Sequence, residues 1–156
     1  MKVYELLNNG NILTGFKSES KDAVINELVD LLKDDNRITD LEEIRKCVFD
    51  REKIMSTGVG KGFAIHHGKT DSVADIVAAF GKSQKPIQYD SLDGEPVHLI
   101  FLLVGKDNLV GKHIKLLSRI SRLMNNDDFR KKLVDAESKE SILKIFEEEE
   151  QNYSDV

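Results

Sequence analysis

The stretch Val97-His98-Leu99-Ile100-Phe101-Leu102-Leu103-Val104 constrains this chain more than any other. It is apolar almost throughout, so a strand made from it must be covered on both faces. Its continuous part, Leu99 to Val104, is far too short to cross a bilayer. The rest of the chain must therefore supply two layers of cover around one central strand. Helical patterns run through much of it. Ser18 to Lys33 carries an apolar stripe at Val24, Leu28, Leu31 and Leu32, with Ser18 or Ser20 placed to cap it. Leu41 to Lys53 is a second helix, and Thr39 with Glu42 has the spacing of a capping box. From Leu109 onward, Leu116, Leu117, Ile120, Leu123 and Met124 form one stripe, followed by shorter helices at Asp127 to Ala136 and Lys139 to Glu149. The acidic end, Glu147 to Val156, is expected to fray into solvent.

Shorter apolar runs supply the remaining strands. Phe63-Ala64-Ile65 leads out of the glycine-rich Ser56 to Gly62 and into His66-His67-Gly68, which reads as a strand ending in a turn. Val73 to Phe80 is a further strand. Ile87 to Tyr89 and Val97 to Val104 flank Ser91-Leu92-Asp93-Gly94, a turn signal that pairs them as neighbours. Strands mixed with helices predict an α/β fold with a mixed sheet. The 156 residues contain no repeat and no Pro/Gly/Ser linker, so residues 1–156 are expected to form a single domain.

Charge and cysteine content narrow the function classes. There are 28 acidic and 23 basic residues, scattered among one another, for a net charge of -5. No basic footprint for nucleic acid emerges. The single cysteine, Cys47, rules out an internal disulfide and suits a reduced, cytoplasmic setting. It lies between Ile44 and Val48 and reads as a small buried apolar residue. The N-terminal segment lacks the apolar run of a signal peptide. Any role in transport is therefore expected from the cytoplasmic side, with the membrane met only through a transporter complex.

Three positions could carry chemistry. His67 stands at a strand end beside Gly68, where a glycine lets another molecule come close. Strand neighbours point to opposite faces, so His66 and His67 do not share a site, but spacing does not say which of them matters. His113 lies on the Leu116, Leu117 and Ile120 stripe near a helix N-terminus, where an anion and a neutral imidazole are both favoured. A hydrogen-bonded core histidine fits the same pattern. Arg51 continues the Ile44 and Val48 stripe at a helix C-terminus and can present its planar fork to a phosphate. Completing the helix dipole and pairing with an acid is its other reading.

Two histidines and an arginine suit phosphoryl transfer through a histidine. Neutral imidazole attacks phosphorus and leaves again, and no metal or other cofactor is needed when the donor is itself a phosphohistidine. Two decoys fail. His66-His67-Gly68-Lys69-Thr70 ends like a phosphate-binding loop, but the required first glycine position is Phe63. A metal-binding module built from His66, His67, His98 and His113 lacks tight ligand spacing, and His98 falls in the buried run.

The segment from Arg51 to Gly68 also resembles a known family, the fructose/mannitol-type enzyme IIA domains of the bacterial phosphoenolpyruvate-dependent sugar phosphotransferase system, which include stand-alone nitrogen-regulatory IIA proteins. The family pattern has an Arg-Glu pair, then Ser-Thr-Gly, then Gly-x-Ala-Ile-Pro-His; here these fall on Arg51-Glu52, Ser56-Thr57-Gly58 and Gly62 to His67. Its apolar strand followed by a helix opening with His-Leu is similar to Val97–Val104 and His113-Ile114. The resemblance runs from Leu6 to about Glu149 and implies a mixed sheet with helices on both faces. It further implies phosphorylation of His67 at Nε2, a hydrogen bond from His113 to the phosphoryl group, charge from Arg51, and further donors from Ser56 and Thr57. The implied donor is a phosphorylated HPr-like carrier. The implied receiver is a IIB component or, in the regulatory alternative, a target protein that senses the phosphorylation state. The absence of a fused IIB or IIC segment in the 156 residues favours a regulatory role or a separate IIB partner. One position departs from the pattern: the family's proline before the histidine is His66.

Overall fold

The apolar run becomes the middle strand of a mixed sheet. The computed structural model describes residues 2–54, 58–89, 91 and 93–152. Among them are the strands β1 (Ile12–Leu13), β2 (Gly58–Gly60), β3 (Phe63–Lys69), β4 (Ile76–Ile87) and β5 (Val97–Gly105). Their order across the sheet is β1-β4-β5-β3-β2. β5 pairs parallel with β3 and antiparallel with β4, while β1 runs parallel to β4 and β2 antiparallel to β3. The helices are α1 (Lys21–Asp30), α2 (Leu41–Ile54), α3 (Val110–Met124), α4 (Asp127–Asp135) and α5 (Lys139–Glu150), with a 3-10 turn at Val3–Leu6.

Alternation along β5 explains the two layers. Leu99, Phe101 and Leu103 join one buried cluster with Leu116 and Ile120 of α3, Phe129 of α4 and Phe146 of α5. Ile100, Leu102 and Val104 join the other, with Val24 and Leu28 of α1 and Ile44 and Val48 of α2. Burying branched and aromatic side chains in this way contributes on the order of 1.5–3 kcal/mol each. The expected α/β fold, with helices on both faces of a mixed sheet, is the one observed.

Several local expectations shift. Ser20 caps α1, its hydroxyl accepting from the Ala23 N–H at 3.3 Å. α2 begins at Leu41, so its cap is Asp40, which accepts from the Glu42 and Glu43 N–H groups at 3.0 and 3.3 Å. Thr39 instead donates to the Ser72 carbonyl at 3.2 Å. β4 starts at Ile76, because Val73 is taken by a bridge to Ile38. The hairpin closing on Ile87 and Val97 forms as expected. β3 does not end before the histidines. β5 offers it partners as far as Gly105, opposite Lys69, so His66, His67 and Gly68 are strand residues.

The acidic end does not fray at Glu150. This residue is 0% exposed, and its carboxylate accepts from the Val3 and Tyr4 N–H groups at 2.8 and 2.6 Å, with Arg119 at 3.8 Å. Burial raises its pKa, while those N–H groups and Arg119 pull the other way. The two ends of the described chain are thereby clasped together.

Candidate active site

Alternation along β3 separates the two neighbouring histidines. Phe63 and Ile65 face the α3 side, and Ala64 faces the α1 and α2 side. His67 accordingly stands on the α3 side, and its ring centre lies 5.8 Å from that of His113, with the planes inclined by 58°. His66 turns the other way, to Tyr89 and Glu52.

His113 reaches His67 because α3 starts close beyond the end of β5. Gly105 makes room for it: a Cβ there would stand 2.9 Å from His113 Nδ1. His113 is 3% exposed, and among the described residues neither of its ring nitrogens has a hydrogen-bond partner. Leaving buried nitrogens unpaired costs about 1–3 kcal/mol and calls for an explanation. The reading of His113 as a hydrogen-bonded core residue therefore does not fit. Burial, and then the charge of Lys69, lower its pKa.

His67 is half-buried in strand rather than exposed in a turn. Burial is the main reason its pKa falls to about 4, and the Arg51 charge is the next. Arg51 lies in the last turn of α2, and its positive charge acts on His67 in the same direction as burial. With that pKa the imidazole is neutral near pH 7 and keeps a lone pair for attack. Ser56 and Thr57 lie outside the described residues.

Gly68 has a different use from the one its position suggested. A Cβ there would fall 2.6 Å from Cys47 Sγ, so this glycine lets α2 press against β3. Cys47 is the packing residue expected; burial pushes its thiol up to about 11. Lys69 was missed. It follows His67 by two along the same strand, and its charge bears on both His67 and His113. Alternation would have revealed it had β3 been extended past Ile65. Glu52 and Tyr89, which hold His66, carry no periodic signal at all.

The decoys resolve in the same geometry. Lys69 and Thr70 lead into a turn and then β4, so no helix opens there to receive nucleotide phosphates. His98 places Nδ1 3.2 Å from the Ser83 carbonyl, which gives it a structural partner. Among the described residues no three His, Cys, Asp or Glu side chains group to hold a metal.

The structure thus brings His67 and His113 together on one face of a mixed sheet covered by helices on both sides. The chain matches over residues 5–149 the family described as "Phosphoenolpyruvate-dependent sugar phosphotransferase system, EIIA 2" and belongs to that family. It is 38% identical over 145 residues to the fructose-specific EIIABC component of Bacillus subtilis, covering 93% of this chain and 23% of that protein. The chain thus spans less than a quarter of that relative's length. It is 35% identical over 135 residues to a nitrogen regulatory protein of Bradyrhizobium diazoefficiens, covering 85% of this chain and 86% of the other. The crystal structure of nitrogen regulatory protein IIA-Ntr from Neisseria meningitidis matches with a TM-score of 0.86 and 31% identity, covering 92% of this chain and 98% of that one. Among the described residues no helix is long and apolar enough to cross a membrane.

Proposed function

We propose that this IIA domain is a phosphocarrier whose His67 Nε2 accepts a phosphoryl group from a phosphorylated HPr-like protein and passes it to a IIB component for sugar uptake. The observation that carries this reading is the facing pair: a neutral His67 beside a His113 whose buried ring nitrogens have no partner among the described residues. In the forward step the His67 lone pair forms the new N–P bond as the donor's N–P bond breaks. The second step reverses the roles, and the phosphoryl group leaves for the IIB nucleophile. The transition state is loose and in line, so the protein supplies position and charge. A His113 N–H would donate to a phosphoryl oxygen, Arg51 would add positive charge, and a donor of this kind is worth on the order of 100-fold in rate. The parts assigned to Ser56 and Thr57 rest on the family pattern alone.

The surroundings suit brief protein contacts. Val110 and Ile114, one helical turn apart at the start of α3 and on either side of His113, are 42% and 59% exposed. The transfer would take place in the cytoplasm, with residues 1–156 acting as one unit.

The likeness to nitrogen regulatory proteins supports a second reading, in which the phosphorylation state of His67 is sensed by a target protein. Incubation with phosphoenolpyruvate, enzyme I and HPr tests the shared step. An acid-labile, base-stable gain of one phosphoryl group is expected, absent in His67→Ala and retained in His66→Ala. Label that persists in His67→Ala and vanishes in His66→Ala would move the acceptor to the neighbouring residue. Adding a IIB component and its sugar then separates uptake, in which label leaves the protein, from signalling, in which it stays.

A further inference from the structure

Behind the proposed acceptor lies a second set of polar contacts that the transfer chemistry does not use. His66 precedes His67 on β3, and Glu52 follows Arg51 on α2. His66 Nδ1 stands 3.3 Å from Glu52 Oε2, and His66 Nε2 stands 2.9 Å from the Tyr89 hydroxyl. Glu52 also pairs with Lys21 of α1, whose Nζ lies 5.5 Å from the centre of the Tyr89 ring. His66 is 1% exposed and the Glu52 side chain 7%. A neutral imidazole satisfies both neighbours when its Nδ1–H donates to the carboxylate and its Nε2 accepts from the phenol. Burial favours that neutral form, lowering the His66 pKa against the pull of Glu52. It also raises the Tyr89 pKa, which keeps the phenol protonated.

The cluster lies along β3 beyond its described pairing with β2. β2 pairs with β3 only at Phe63 and Ala64. Among the described residues no strand lies along the outer edge of β3 beyond Ala64. The last turn of α2, which carries Arg51, is instead tied to that part of β3 through Glu52 and His66. The family pattern has proline at this position, whose ring nitrogen is the backbone amide and carries no hydrogen to offer a carboxylate. That pattern therefore does not itself supply the tie.

We propose that His66 is a positioning residue for phosphoryl transfer: by holding Glu52 it fixes the last turn of α2, and with it the Arg51 guanidinium relative to His67. Its rate readout rests on His67 being the acceptor, whereas its titration readout does not. Both are made on the full chain as wild type, His66→Asn, His66→Phe, Arg51→Ala and the double variant His66→Phe/Arg51→Ala. Asparagine keeps a donor near the place of Nδ1, and phenylalanine keeps only the bulk.

In an NMR titration the His67 midpoint is expected to rise by about half a unit or more in His66→Phe, as the Arg51 charge moves away. It should rise in Arg51→Ala as well, climb no further in the double variant, and hold in His66→Asn. In single-turnover labelling from phosphorylated HPr, His66→Phe should lower the rate at saturating donor about tenfold. The donor concentration for half-maximal rate should change less than about twofold, and His66→Asn should stay within about threefold of wild type. The double variant should be no slower than Arg51→Ala, because the two changes remove one effect. An unmoved His67 midpoint in His66→Phe overturns the proposal. So do rate losses that multiply in the double variant, or a loss in His66→Asn as deep as in His66→Phe. If His66→Phe does not fold, Glu52→Ala removes the other half of the same tie and should raise the same midpoint; a midpoint that stays put overturns the proposal. A wild type that takes no label defeats the carrier reading alone and leaves the titration to decide this one.

Discussion

On the back of β3, His66 is 1% exposed and both ring nitrogens have partners; on the front, one residue later, His67 is half-buried near a His113 whose nitrogens have none among the described residues. On the proposed carrier reading, the same side chain serves two ends within one dipeptide. A buried imidazole with a carboxylate on one side and a phenol on the other is held in one tautomer and contributes to stability. An imidazole that burial, and then the Arg51 charge, keep neutral is, on the carrier reading, ready to react at some expense of stability. If His67 is the acceptor, the difference teaches that two adjacent histidines on one strand are given separate uses by the groups each face of the sheet presents to them.

Unequal stability effects would break this contrast most directly. His66→Ala should lower the unfolding free energy by about 3 kcal/mol, because Glu52 loses a buried partner. His67→Ala should cost less than about 1 kcal/mol. Urea denaturation of both variants checks this, and equal losses would erase the distinction.

Proton binding sharpens it next. A histidine of ordinary pKa near 6.5 would be only about 3% neutral at pH 5, whereas His67, with a midpoint of about 4, should remain mostly neutral there. The unfolded chain, with an ordinary His67, binds more protons than the folded one between about 6.5 and 4. The lowered pKa values of His66 and His113 act in the same direction. Folding stability is thus greatest above this window and declines as pH falls through it. Urea midpoints measured across that range should show the decline, and it should be shallower in His67→Ala.

Smaller effects separate the partners of each ring. Tyr89→Phe removes one hydrogen bond from the back and should cost about 1 kcal/mol. His113→Leu removes two unpaired nitrogens from the front and should leave stability unchanged or raise it by up to about 1 kcal/mol, while labelling of His67 falls about 100-fold. A His113→Leu protein that is markedly less stable would mean that its nitrogens are satisfied after all.

Much of this fold could be read from residue order because its signals are local. The doubly covered β5, the Ser20 cap and the β4–β5 hairpin follow from runs, caps and turn residues a few positions apart. Spacing alone leaves His66 and His67 equivalent, and the pairing of His67 with His113 comes from the family resemblance. What stayed hidden depends on partners distant in sequence. β3 runs on to Lys69 only because β5 lies beside it. Gly68 is small because Cys47 presses on it. Glu52 and Tyr89 look like ordinary surface and strand-end residues until His66 is seen between them. Glu150 appears as one more acid in a charged run, although its partners are the backbone N–H groups of Val3 and Tyr4.

That last contact has a consequence for how the polypeptide can be rewired. With the carboxylate of the final helix gripping the first turn, the two ends of the described residues share one corner of the molecule, and a linker could join them. New ends opened at the exposed Lys33–Asp34 turn would leave every strand beside its present neighbours. A second module spliced to either side would leave from the same point, so swapping it from front to back should alter its reach very little.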